Sequence, residues 1–368
     1  MKKIIIIISM ALVILFFLLS SCQTPSGERE EAGAPSFFVP QEPPAAAYTL
    51  SARLKAEEDR ALRMEGTGRI VFPHNPEKPV SSVALKWDGL LLEVSSGGQK
   101  LAPEEEDPIE KDIHFFSLPR NGASRGEISL DIAFSREVEP RDNGDIYLTR
   151  WYPRLWWDGL PTRDSFQVQI DMPEGYTPAS SGRLNPETGF YENPGVTTHF
   201  GLVFFRNIQV EERDAGGVLV RAFFREEEKD CALLCLETAV DVIGFYREFH
   251  GFFPFPSLTV IPGHPLYAGG YPFASALVSI HGLQAMDRHP ELHWKWITAH
   301  EIGHQYWGEH VMSDEDNNYT VSWLMIGMGI VADRLYVEHR NLGDDKHESF
   351  FSRYIQGMKN GVDTTADA

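Results

Sequence analysis

The chain has 368 residues, is 42% hydrophobic and 12% aromatic, and carries a formal charge of -20. That length and apolar content suit two domains with cores of their own and exclude a disordered chain. The acidic balance excludes nucleic acid as a partner, since no basic stripe is present to neutralise phosphates.

The first segment is a targeting signal. Met1-Lys2-Lys3 supplies a positive start, Ile4 to Leu19 is almost wholly apolar, and Leu19-Ser20-Ser21-Cys22 follows the grammar of a bacterial lipobox. The apolar run falls short of the roughly 20 residues needed to span a bilayer. Residues 1–21 are therefore expected to be a lipoprotein signal peptide and Cys22 the lipidated residue. The lipid would anchor the protein to a membrane of the cell envelope, facing outside the cytoplasm. Residues 22–47, rich in Pro, Ser, Gly, Glu and Ala, predict a flexible tether.

From 48 to 219 the pattern is one of short apolar or alternating runs between turn residues, such as Gly68 to Phe72, Ser82 to Lys86, Gly126 to Phe134 and Phe166 to Met172. Many short strands with Gly, Pro, Asn and Asp between them predict an antiparallel β-sandwich. Residues 220–368 differ. Apolar spacing predicts a helix over 229–250 with Gly251 as its C′ residue. Phe252 to Pro256 breaks the chain, and 258–261 and 276–280 read as strands. A helix opens near 289–292, an acidic loop spans 309–319, and a final helix covers 323–338. The fold expected is mixed: a β-sandwich followed by an α+β domain. Cys231 and Cys235, four apart in a helical pattern, are poorly placed for a disulfide and read as buried small hydrophobes.

The chemistry concentrates at His300-Glu301-Ile302-Gly303-His304, an H-E-x-x-H run. On a helix, positions i and i+4 share a face, so both imidazoles can point at one zinc ion. Glu301 can then hold and deprotonate a metal-bound water. The other histidines considered, His74, His264, His281, His293 and His310, show no paired spacing and read as surface or core residues.

Several pieces occur in a telling order: His250-Gly251-Phe252-Phe253-Pro254-Phe255-Pro256, then Ala268-Gly269-Gly270, then His300 to Gly308, then Trp323-Leu324 and Gly327. In this order they resemble the aminopeptidase N (membrane alanyl aminopeptidase) family of gluzincin zinc metallopeptidases. The resemblance runs from Tyr48 to the C-terminus. It implies a saddle-like β-domain packed on a thermolysin-like catalytic domain, here incomplete at its C-terminal end and consistent with a truncated reading frame. It further implies zinc as cofactor, His300 and His304 as ligands, Glu301 as general base, and Gly269, Gly270 and Tyr271 along the substrate backbone. Peptides or polypeptides are the implied substrates.

Three departures accompany the match. The family's third ligand, a glutamate, aligns with Ile326, leaving Asp333 and the loop residues Asp314, Glu315 and Asp316 as substitutes. The glutamate that binds a substrate's free amino terminus aligns with Pro272. No residue matches the family's transition-state tyrosine. The sequence therefore supports two readings: an envelope-anchored zinc metallopeptidase, and a catalytically inactive lipoprotein that keeps the peptidase fold as a binding or scaffold module.

Overall fold

The computed structural model describes residues 44–56, 62–74, 80–104, 112–119, 123–124, 126–157, 160, 162–312 and 323–342. The expected signal peptide, Cys22, nearly all of the tether, and Asp314, Glu315 and Asp316 lie outside the described residues.

A nine-stranded sheet dominates the first half. At its centre Leu62–Pro73 pairs antiparallel with Ala47–Ala56 on one side and Glu127–Val138 on the other. Alternation puts Ile128, Leu130, Ile132 and Phe134 on the buried face while their neighbours stay partly exposed. A close approach requires Gly66: a Cβ there would lie 2.8 Å from Cε1 of Phe134. The sheet is not antiparallel throughout, because Ala47–Ala56 pairs parallel with Asp164–Asp171. A parallel neighbour must be reached by a long crossover, and here the chain completes several other strands before returning.

Two three-stranded sheets cover the inner face, one of Ser82–Lys86, Ile113–Ser117 and Arg154–Trp156, the other of Ile146–Leu148, Tyr176–Ser180 and Leu202–Arg206. One apolar cluster fills the space between, with Tyr48 stacked on Phe166 at 4.9 Å between ring centroids. Buried polar tips find partners: Trp151 Nε1 donates to the Phe200 carbonyl at 2.8 Å.

A five-stranded sheet follows, in the order Gln209–Asp214, Leu219–Phe224, Ser257–Pro262, Leu277–His281, Gly269–Ala274. Its three inner strands run parallel, and both outer ones antiparallel to their neighbours. Helix Lys229–His250 presents Cys231, Cys235, Leu236, Ala239, Val242, Ile243 and Tyr246 as one buried stripe. It stops at Gly251, whose φ of 85° suits glycine and whose N–H returns to the Arg247 carbonyl at 2.8 Å. Both thiols are free and buried. Helix Glu291–Gly303 packs against this helix, with Tyr246 Oη donating to the Ala299 carbonyl at 3.0 Å. The last helix, expected from Trp323, opens with a π-helical turn, Trp323–Gly327, before Met328–Arg340. A separate apolar cluster joins the two regions: Ala179, Val203 and Phe205 meet Phe223, Ile261, Ala274 and Leu277.

Candidate active site

The H-E-x-x-H run occupies the last turns of helix Glu291–Gly303 and the residue that caps it. The helix starts after Pro290, carries Glu291 in its first turn, and buries Trp294, Ile297, Thr298, Glu301 and Ile302 along one face. That face positions both imidazoles. Nε2 of His300 and Nε2 of His304 lie 3.1 Å apart. Each ring turns its other nitrogen to an acceptor, His300 Nδ1 to Asp333 Oδ2 at 2.8 Å and His304 Nδ1 to the Trp307 carbonyl at 3.4 Å. With Nδ1–H donated on both rings, two Nε2 lone pairs point at one another. Such an arrangement needs a cation or a shared proton between them. Two nitrogens bound to one zinc at about 2.0–2.1 Å in tetrahedral geometry would stand roughly 3.3 Å apart.

Electrostatics separate the two rings. Burial drives His304 down to about 3, and the charge of His300 pushes the same way. Burial opposes the charge of His300 too, but the Asp333 hydrogen bond and the nearby Glu301 carboxylate outweigh it and raise that imidazole. Glu301 is buried, and its carboxyl is pushed up to about 7, chiefly by burial. Among the described residues its buried Oε2 has no hydrogen-bond partner, which suits an atom that faces a water or metal ion.

Glycines make room for this cluster. A Cβ at Gly270 would lie 2.6 Å from Glu301 Oε1, so the edge strand Gly269–Ala274 runs directly over the catalytic candidate. A Cβ at Gly329 would lie 2.7 Å from Cε1 of His304, which fixes how closely the last helix approaches. Gly269, Gly270 and Tyr271 all fall on the edge strand, and Tyr271 is exposed. Pro272 sits where the strand bulges between Tyr271 and Ala274, leaving no acidic group at that point.

Asp333 is brought to the site in a different role from the one considered. It faces Nδ1 of His300, not the nitrogen that meets His304, because seven residues along a helix from Ile326 keep its face but move it down the axis. It is a buried orienting carboxylate instead of a third ligand. Ile326 supplies no donor atom. Among the described residues no group of three or more His, Cys, Asp and Glu side chains is placed to hold a metal ion. The residues thus fit two positions of a zinc site.

A second set of contacts ties the edge strand to the residues after His304. Gln305 Oε1 accepts the N–H of Ala276 at 2.7 Å, and Ala276 sits at φ 60° in the turn that follows the strand. Buried Glu309 accepts from Thr198 Oγ1 at 2.7 Å and Ser275 Oγ at 2.6 Å. His199 joins through Thr198 at 2.7 Å, its imidazole held low by burial against the opposing pull of Glu309. Sequence inspection missed these residues, since nothing in their local pattern marks them. It also overlooked that His289 and His293 are four apart; their rings stack at 4.4 Å between centroids.

Comparison with known proteins bears on the fold. No protein-family profile and no curated protein sequence matches the chain. Among solved structures it is similar to an M1 zinc metallopeptidase of Deinococcus radiodurans carrying a glutamate-to-alanine substitution, with TM-score 0.59 and 15% identity over 86% of this chain and 75% of that one. The same variant bound to a Tyr-Ser-Ala substrate gives TM-score 0.57 at 15% identity and the same coverage. The chain therefore has a sheet-rich, M1 metallopeptidase-like fold.

Proposed function

We propose that this chain is an envelope-anchored zinc metallopeptidase-like protein that hydrolyses peptide bonds. One observation carries the reading: the Nε2 atoms of His300 and His304 converge to 3.1 Å beside a Glu301 carboxylate whose Oε2 is unpartnered. Zinc held there would act as a Lewis acid, bringing the pKa of water toward about 7. Glu301, buried beside both imidazoles, would take a proton from water and pass it to the leaving amine. Asp333 keeps His300 in the tautomer that presents Nε2. Gly270, lacking a side chain, lets the edge strand lie directly against the Glu301 side chain. The anchor is the lipid on Cys22 that the lipobox predicts; among the described residues no helix is long and apolar enough to cross a membrane. Pro272 offers no anion for an ammonium, so free and blocked amino termini are treated alike.

The test is cleavage of a blocked peptide library, with zinc content measured alongside. Glu301→Gln should retain the metal and lose cleavage, because an amide cannot accept the proton. Equal cleavage by both forms would sink the assignment of Glu301.

A second reading has its own support. Ile326 stands where the family resemblance puts the third ligand, and no third side chain completes the set among the described residues. If the chain binds less than one zinc per molecule at saturating metal and cuts nothing, it is a peptidase fold used for binding.

A further inference from the structure

Where strand Ser82–Lys86 ends, a cavity of about 210 Å³ opens, and among the described residues neither the H-E-x-x-H helix nor the edge strand lines it. Its charged lining is Lys86, Arg136, Arg150 and Arg154 against Asp88 and Asp112. Four cations to two carboxylates reverses the balance of a chain whose formal charge is -20.

Three local features around this cavity cost stability. Strand pairing sets Lys86 directly opposite Arg154, a like-charge cross-strand pair that repels. Arg150, with a φ of 47°, holds a left-handed backbone that side chains of its size seldom adopt. The indole of Trp87, also in the lining, is buried, and among the described residues its Nε1 has no hydrogen-bond partner. Departures from local rules that gather at one place are the mark of a functional site.

The carboxylates offset the cations only in part. Arg136 Nη2 lies 3.2 Å from Asp88 Oδ2, while Lys86 Nζ is 4.0 Å from Asp112 Oδ2. Both acids are open to water, where an ion pair contributes little. Each arginine presents five N–H donors in a fixed fork, so a contact within the fold leaves others for a ligand. The excess of two positive charges selects that ligand. A carboxylate would neutralise half of it. A phosphate monoester carries about -1.5 to -2 at neutral pH and offers three acceptor oxygens to guanidinium forks.

We propose that this cavity is a binding site for a phosphate group, held by Lys86, Arg136, Arg150 and Arg154. Inorganic phosphate and a phosphate monoester share that chemistry. The site does not depend on the peptidase reading. The test is calorimetric titration of the full chain with inorganic phosphate, glycerol 3-phosphate and acetate. Sodium chloride at about 0.15 M screens diffuse attraction. One or both phosphates should bind saturably, at least about tenfold more tightly than acetate, and the tighter of the two identifies the source. Lys86→Met keeps the aliphatic stem, removes the charge, and should weaken phosphate binding by at least about tenfold. Asp88→Asn should tighten it severalfold, a gain that misfolding cannot produce. Absence of saturable binding, or acetate bound as tightly as phosphate, overturns the proposal. Phosphate binding indifferent to both substitutions would place the anion elsewhere, at a bound metal for instance, and overturns it too.

Discussion

Asp333 Oδ2 sits 2.8 Å from Nδ1 of His300, across the ring from the nitrogen that faces His304. A carboxylate in that place fixes the ring and its tautomer and strengthens Nε2 as a donor. Asp333→Asn should weaken zinc binding by about 10–100-fold while leaving both histidines in place. Titration calorimetry checks this, and unchanged affinity would remove the orienting role.

The same contact sets a pH dependence. Because the folded-state pKa of His300 is raised, its charged form stabilises the fold fully below the ordinary histidine value, and that contribution is lost as pH rises through the raised one. Zinc takes the neutral ring, so metal must displace this proton. Apparent affinity should climb with pH, by up to about tenfold per unit for one proton, until the raised His300 value is passed, and level off above it. A flat profile in calorimetry would mean that His300 is already neutral there.

Gly270→Ala would drive a methyl group into Glu301. Overpacking of this kind costs about 1–3 kcal/mol, and the displaced partner here is the proposed proton-transfer group. Cleavage should fall at least as far as stability does, with zinc content unchanged. Full activity in the alanine form would show that the strand does not approach Glu301 in solution.

Ile326→Glu should tighten zinc binding, since a carboxylate at that turn would add a third protein ligand to the two proposed, His300 and His304. Calorimetry showing the same affinity for both forms would count against placing residue 326 beside the metal.

Glu309→Ala should remove the shared acceptor of half-buried Thr198 and buried Ser275, which then keep only each other and His199, at about 1–3 kcal/mol in all. Glu309→Gln keeps an acceptor oxygen and should lose less. Urea denaturation measures both, and indifference to the alanine change would show that water replaces the carboxylate.

Features with local signals were legible in the sequence. Helix 229–250 announced itself by its apolar stripe and Gly251, and the spacing of His300 and His304 was enough to place both rings on one face. What escaped notice depends on distant parts of the chain. Arg53 and Asp171 are bonded across 118 positions in a parallel pairing of the large sheet, and Thr198 meets Glu309 across 111. No period in the sequence encodes such partners, because long-range pairing is set by which faces remain to be buried. Asp333 was noticed for its helical phase with Ile326, but phase alone does not say which nitrogen of His300 it meets.

The apolar cluster in which Phe205 and Val203 meet Phe223, Ile261 and Leu277 has a bearing on how this protein can be divided. Severing the chain between Arg206 and Gln209 would bare aromatic and aliphatic surface on both products, with Tyr147 also losing its hydrogen bond to the Pro262 carbonyl. Neither product would remain dispersed in water by itself. Proteolytic nicking there should yield pieces that stay together under native conditions and separate only in denaturant, so evolution could trade the β-rich region for another only by redesigning this seam as well.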